Sequence, residues 1–510
     1  KLTGIVMPAI NWRIIYKLLL IKKIMKKGIS ASKLILCLLF LLLTYAACKK
    51  SILTSPQASS KLKTASVQTF TVTPARTYDY VNGIGVNTHL RFTNVYYNSF
   101  DAIIFPKLKK LGIKNIRDGV PYPGFLNAAT VSTIQGRFIK LYDSCGIKVS
   151  YGIDSKKVVD SVLLRDSAAY LSVFSSSVKL RQTIQYLEGF NEPDLTIYTW
   201  YPAKWDTLTY QVQKGLWNRA KSMPELSGIS VLSGSLVTYY NAARIGQIAA
   251  MTPYLSTYYD YANYHAYDTG NINAKLFPGY TYDWNKQNTI MEGMRHGKPW
   301  IVTETGYENA INWNRPTDPN YQQSSYHYIS ELAAGKYYSV LFMEMFKRGA
   351  QKIYTYEFID QNTSDQAHSE NNFGLLHTDG SEKPAYTAIK NTISILNDNT
   401  AAFTPTSLTY TLSGDTTGMR NSLYQKRNGH YYLALWQGKT QGICYDFPNF
   451  TNIPSHNQSI TVTLPFVASQ INVYQPLISG SSISSNTNQN TITVNVPDNL
   501  ILVEIAPPGT

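Results

Sequence analysis

GFNEPD, Gly189–Asp194, and WIVTETGY, Trp300–Tyr307, are strand-like runs with a glutamate at the end of each, Glu192 in the first and Glu304 in the second. Outward from these two, short apolar runs alternate with stretches in which apolar residues recur every three or four positions. The strand-like runs are Gly83–Thr88, Ile113–Asp118, Lys148–Ile153, Ile184–Phe190, Ile229–Gly234, Tyr261–His265, Trp300–Glu304 and Lys352–Phe358. Helical spacing marks Leu164–Val178, Tyr210–Ala220, Tyr326–Phe346 and Lys383–Leu396. Eight strand–helix units in succession predict an α/β fold, a parallel sheet closed into a (β/α)8 barrel over residues 69–399. An open doubly wound sheet is the alternative, but no glycine-rich phosphate turn follows the first strand. In a barrel the chemistry sits at the C-terminal strand ends, and Glu192 and Glu304 fall at the ends of the fourth and seventh strands.

After residue 399 the period changes. Ser407–Leu412, Leu423–Arg427, Tyr431–Gln437, Ile460–Leu464, Ile471–Tyr474, Thr491–Val496 and Leu500–Ile505 are short runs of alternating polarity. Asn428-Gly429 reads as a hairpin turn between two of them. Residues 400–510 are therefore expected to form a β-sandwich, to which Thr69–Pro74 adds a strand.

The formal charge of +15 suggests nucleic acid until it is located. Residues 1–50 hold ten Lys or Arg and no Asp or Glu, so the remaining 460 residues carry 37 basic and 32 acidic groups. No basic stripe remains in the body to bind phosphates, and a nucleic-acid partner is not expected. The basic end reads as a targeting segment. Met25, Lys26, Lys27 and Lys33 precede the apolar core Leu34–Leu43, which is too short to span a bilayer comfortably. Tyr45-Ala46-Ala47-Cys48 follows, and small residues before a cysteine resemble the lipobox of bacterial lipoproteins. A plain signal peptide with a chance cysteine is the simpler alternative. Residues 1–24 fit neither part, and with Lys1 in place of Met an over-extended reading frame is expected. Residues 49–68, rich in Ser, Lys and Thr, read as a flexible tether.

Beyond the leader only Cys145 and Cys444 remain, 299 positions apart, so neither a disulfide framework nor a zinc site is expected. No strand-end lysine stands out for Schiff-base chemistry. The remaining candidates are carboxylates. Two of them presented from strand ends suit glycosidic cleavage, one protonating the leaving oxygen while the other meets the developing cationic carbon. Asn191 can donate its amide to a sugar 2-hydroxyl, and Pro193 helps end the strand. Tyr267 can hydrogen-bond Glu304 and hold it ionised, and Arg117 would lower the pKa of a carboxylate beside it. His265 reads equally as a core histidine or a substrate contact. Glu357 and Asp360 offer further carboxylates for hydroxyls or a cation. Tyr198, Trp200, Tyr201, Trp205 and Trp313 suit sugar stacking at a barrel mouth, or packing of long loops.

At these residues the chain resembles the retaining glycoside hydrolases of clan A, a (β/α)8 superfamily of endoglucanases, β-xylosidases and β-glucuronidases. The resemblance covers residues 80–400. It implies that Asn191-Glu192 supplies the acid/base, Glu304 the nucleophile, His265-Ala266-Tyr267 the sixth-strand motif and Arg117 the arginine beside the nucleophile, so that Glu304 is expected to stay ionised while the Glu192 pKa is raised. Together with the sandwich, FGLL (Phe373–Leu376) and KPAY (Lys383–Tyr386) are similar to families 39 and 30, and the chain as a whole resembles families 39, 30 and 5. Many members carry a tryptophan at the end of the eighth strand, whereas here the run is YTYEFID, Tyr354–Asp360.

The resemblance implies a retaining β-glycosidase with a carbohydrate substrate; no cofactor or metal is expected, and the lipobox-like leader implies a chain held at a bacterial cell envelope by lipid on Cys48. The alternative is a catalytically inactive barrel serving as a surface glycan-binding lipoprotein, although both carboxylates are kept. If the leader is a lipoprotein signal, mass spectrometry of the native N-terminus will find an acylated Cys48 carrying several chains, because one chain binds membranes only weakly. A mature chain starting elsewhere without acyl mass would remove the anchor.

Overall fold

The computed structural model describes residues 67–509 apart from 93–95, 122–125, 154–166, 238–241, 268–291, 293–294, 310–328, 363–368, 399–401, 439–444, 447–450 and 453–456. The leader, most of the tether, Cys48, Cys444 and Trp313 lie outside the described residues, and Cys145 is a free thiol. Among the described residues no helix is long and apolar enough to cross a membrane.

The chain begins in the sandwich, with β1 (Gln68–Val72) and β2 (Ala75–Arg76). It then enters the barrel through β3 (Ile84–Asn87), β4 (Asn115–Gly119), β5 (Lys148–Ile153) and β6 (Ile184–Phe190). The fifth barrel position is split into β7 (Val231–Leu232) and β8 (Leu236–Val237), and β9 (Ala262–His265), β10 (Trp300–Thr305) and β11 (Ala350–Thr355) complete the sheet. All pairs are parallel in the order β7-β6-β5-β4-β3-β11-β10-β9-β8. The two ends of that order are halves of one strand, so the sheet closes. Leu187 pairs with Val231, Leu236 pairs with Tyr264, and single bridges join Leu232 to Tyr261 and Asn191 to Ser235. The fifth strand thus runs past Gly234, where the sequence pattern ends it. Beside the interruption at Ser233–Ser235 the fourth and fifth strands come close. A Cβ on Gly189 would lie 2.1 Å from Gln213 Oε1 and 2.6 Å from the Gly234 nitrogen. Only glycine lets the fourth and fifth strands approach this closely.

Barrel strands are buried on both faces, as in β10, where all six residues are enclosed. The helix Glu331–Lys347 is buried from Ala333 to Met345 because the barrel and the sandwich cover opposite sides of it. Its start is capped by Ser330, whose side chain accepts from the Ala333 amide.

The sandwich comprises β12 (Leu408–Gly414), β13 (Met419–Gln425), β14 (Tyr431–Gln437), β17 (Gln458–Tyr474), β18 (Ser484–Val496) and β19 (Ile501–Ala506), with a separate pair β15 (Tyr445–Asp446) and β16 (Thr451–Asn452). Residues 68–76 belong here and not to the barrel, since β1 pairs with β12 and β2 with β13. β17 spans two predicted strands. It continues through Pro465 with a register shift between Thr463 and Ala468 against β18, and a bulge is where proline is tolerated. Period-two alternation then assigns two faces. Leu433 and Leu435 enter the sandwich core, while Tyr432, Ala434 and Trp436 join the barrel core.

Glu344 ties the two together. It accepts 2.9 Å hydrogen bonds from Trp436 Nε1 and from Arg420 Nη2, and it is 3% exposed. Glu344→Ala leaves the indole N–H without its acceptor and Arg420 without its carboxylate. The expected loss is about 3 kcal/mol of stability, moderated because Arg420 reaches solvent. Urea unfolding should show it as a lower midpoint.

Candidate active site

The C-terminal strand ends meet in one cleft. Arg117, Asn191, Glu192, Tyr267, Glu304 and Tyr356 are among its walls. Each is aimed by local backbone geometry. After β6 the Glu192 amide donates to the Ser235 carbonyl at 3.0 Å, and Glu192 takes φ of 49°. Its carbonyl accepts from Leu195 at 3.0 Å and Thr196 at 2.7 Å, turning the chain at once from strand to helix. A non-glycine residue in the left-handed region is uncommon, and here it lifts the Glu192 side chain out of the strand's plane. β10 carries a register shift against β9 between Val302 and Glu304, which sets Glu304 beside His265.

Arg117 is the hub. Its Nε and Nη2 donate to Glu188 Oε2 and Oε1, both at 2.8 Å. Nη1 donates to Asn87 Oδ1 at 3.0 Å and to Glu304 Oε1 at 2.5 Å, and Nη2 also reaches Asn191 Oδ1 at 2.7 Å. With its oxygen committed to the guanidinium, the Asn191 amide has its N–H donors left for the cleft. Asn87 Nδ2 is anchored on the Thr303 carbonyl at 2.8 Å.

Glu304 Oε2 accepts from the Tyr267 hydroxyl at 2.8 Å. His265 is fully buried and does not line the cleft. Its Nδ1 lies 2.8 Å from Glu192 Oε1 and 3.3 Å from Glu304 Oε2. It bridges the two carboxyls from behind, so a substrate contact is corrected to a support. Burial, reinforced by Arg117 against the pull of Glu304, holds the imidazole down at about 4, and it is neutral at neutral pH. Burial pushes the Glu192 carboxyl up to about 7, with Arg117 pulling it back. Burial also raises Glu304. His265, Arg117 and the Tyr267 hydroxyl draw it down, and Glu192 adds to the rise. Arg117 and Tyr267 thus act on Glu304 in the expected direction, yet desolvation outweighs them. On Arg117 itself burial pulls down, while Glu188 and Glu304 outweigh it and keep the guanidinium charged.

Glu192, His265 and Glu304 each offer a ligand atom within 4.8 Å of the others. A cation there would sit beside the Arg117 guanidinium and share oxygens that already accept from Arg117 and Tyr267. The hydrogen-bonded arrangement uses the same oxygens without that repulsion.

Other candidates are placed differently. Glu357 does not line the cleft. It is enclosed, accepting from Tyr97 at 3.0 Å and Gln361 at 2.6 Å, because its carboxyl faces inward behind Tyr356. Asp360 pairs with Lys383 at 2.8 Å as a buried strut. Trp205 is a core residue packed edge-on to Tyr198. Trp200 ends the helix Thr196–Trp200. Tyr356, just after β11, stands in the cleft, edge-on to Phe373 at 5.4 Å. Glu188, Asn87, Tyr356 and Phe373 were not singled out as site residues by motif. For Glu188 a signal existed, a charge inside the otherwise uncharged strand IQYLEGF.

The fold, a (β/α)8 barrel with an all-β sandwich, is shared with solved structures of glycoside hydrolases. Solved structures with the same fold include a family 39 glycoside hydrolase from the gut symbiont Bacteroides cellulosilyticus WH2, at TM-score 0.54 and 15% identity over 85% of this chain and 83% of that one. A glucosidase from Croceicoccus marinus matches at TM-score 0.53 and 11% identity, over 87% of this chain and 99% of its own. A family 51 arabinofuranosidase from Xanthomonas axonopodis pv. citri matches at 0.53 and 12%, over 86% of this chain and 100% of its own. No protein-family model matches the chain, and no curated protein matches it in sequence.

Proposed function

We propose that the protein is a retaining β-glycoside hydrolase that cleaves a poly- or oligosaccharide by double displacement. The observation that carries this reading is the approach of Glu192 and Glu304, which present carboxyl oxygens within 4.8 Å of each other in unlike environments. Retaining enzymes hold their carboxyls roughly 5–5.5 Å apart, whereas inverting enzymes need about 6.5–9.5 Å to admit a water. Glu304, gripped by Arg117 and Tyr267, attacks the anomeric carbon as the leaving oxygen takes the Glu192 proton. Glu192, now a carboxylate, removes a proton from the water that breaks the covalent glycosyl-enzyme, and so regains its acid form. Asn191, turned by Arg117, offers its amide to the sugar 2-hydroxyl, a contact that strengthens in the transition state. Tyr356 and Phe373 supply an aromatic wall for the sugar. We also propose that the chain works at a bacterial cell envelope, anchored through Cys48.

Glu304→Ala should abolish turnover, since no covalent step remains. Glu192→Ala should cost about 10²–10⁴-fold on glycosides with poor leaving groups. On activated aryl-glycosides its first step should be nearly intact, and azide should restore part of the second. A panel of aryl-glycosides and polysaccharides checks both, with NMR of the first-formed product anomer. Near-normal hydrolysis by Glu304→Ala, or an inverted anomer, would sink the mechanism. Binding of glycans without hydrolysis by the unaltered chain would favour an inactive binding protein instead.

The pH dependence follows from Glu192. Its carboxyl titrates at about 7 and acts first as an acid, so only the protonated form is productive. On unactivated substrates kcat/KM should therefore fall as pH rises through about 7. A profile flat from pH 6 to pH 9 would remove Glu192 from the acid role.

A further inference from the structure

We propose that Glu188 is a positioning residue for the nucleophile: two N–H groups of Arg117 end on its carboxylate, fixing where the remaining ones meet Glu304, Asn191 and Asn87. The inference rests on the reading of Glu304 as the nucleophile. Glu188 lies inside β6, is 0% exposed and does not line the cleft, so no substrate touches it. The guanidinium has five N–H donors in one rigid plane. Here all five are used: Nε and one Nη2 hydrogen on Glu188, the other on Asn191, and the two of Nη1 on Asn87 and Glu304. A bidentate pair fixes a plane as well as a distance. The contacts to Asn191 and Glu304 thus inherit their direction from Glu188. Thr303 Oγ1, 3.3 Å from Glu188 Oε1, braces the clamp from β10 itself.

Charge gives the clamp a second effect. One buried cation is shared between two carboxylates, so only part of its pull falls on Glu304. The other groups facing Glu304 are Glu192 from beyond β6, His265 and Tyr267 from β9 and the residues after it, and Tyr356 from beyond β11. His265 is neutral, and burial holds both tyrosines well above their ordinary titration. Removing the Glu188 carboxyl therefore leaves Arg117 with Glu304 as its one carboxylate partner among the described residues. A carboxylate so held is easier to ionise and a poorer nucleophile.

The test uses the full chain and its Glu188→Gln and Glu188→Asp variants. Carbon-13 NMR on glutamate-labelled protein follows the Glu304 carboxyl, assigned by Glu304→Gln, alongside the pH profile of aryl-glycoside hydrolysis. Glu188→Gln should move the Glu304 midpoint down by on the order of one pH unit. The acidic limb of kcat/KM should move with it, and turnover should fall about a hundredfold. Glu188→Asp keeps the charge on a shorter arm, so the midpoint should stay and turnover fall about tenfold. An unmoved midpoint in folded Glu188→Gln would overturn the proposal. Should that variant not fold, unaltered turnover in Glu188→Asp would overturn it, and reduced turnover at an unmoved midpoint would support it. If the unaltered chain cleaves no glycoside, the hydrolase reading fails, while the Glu304 midpoint in Glu188→Gln still decides the clamp.

Discussion

A single buried guanidinium sets the terms for the barrel's open end. Arg117 draws acceptors from β3, β6 and β10 and from the turn after β6, and none of them can withdraw without leaving a desolvated donor. A cation in that position is tolerable only when its partners surround it. The register of four strands at the cleft is therefore tied to one side chain. The apolar barrel beneath could tolerate hydrophobic exchanges of similar volume, but this layer has little such slack.

The two catalytic candidates differ through their surroundings and not through their chemistry. Both are glutamates near the same cation, and burial raises both. Glu304 takes the direct contact with Arg117 and a phenol, whereas Glu192 sits on a left-handed turn where Arg117 pulls against its burial. His265 touches both from behind and draws the Glu304 carboxyl down, so it orients the pair and adds to their difference.

Much of this was legible in the sequence, and what escaped has physical reasons. Strand-end motifs gave Asn191-Glu192 and Glu304, because a polar residue closing an apolar run announces itself, and Tyr267 and Arg117 came from the resemblance to the clan A hydrolases. Glu188 sits within such a run, and only three-dimensional pairing with Arg117 distinguishes it from a strand-end salt bridge. His265 was ambiguous because sequence fixes which face of a strand a residue takes, not how deep it lies. Glu357 looked equivalent to other strand-end acids, yet its carboxyl turns inward to Tyr97 and Gln361. Trp205 looked like a sugar platform, although its helix faces it into the core. In the sandwich Pro465 read as a strand end, but β17 absorbs it in a bulge.

The sandwich is assembled from both ends of the body. The Thr71 hydroxyl meets that of Thr409 at 3.0 Å across a separation of 338 residues, and all of β1 runs against β12. During synthesis β1 is made first and its partner only after the whole barrel has left the ribosome. At translation rates of about 5–20 residues per second, that strand waits some tens of seconds with one edge open. Its alternation QTFTV, with three threonine or glutamine side chains to two apolar ones, limits what a stray strand could gain by pairing with it. The ends of the body are thus joined last, and the barrel must hold its shape in the meantime without the sheet that will cover its long buried helix.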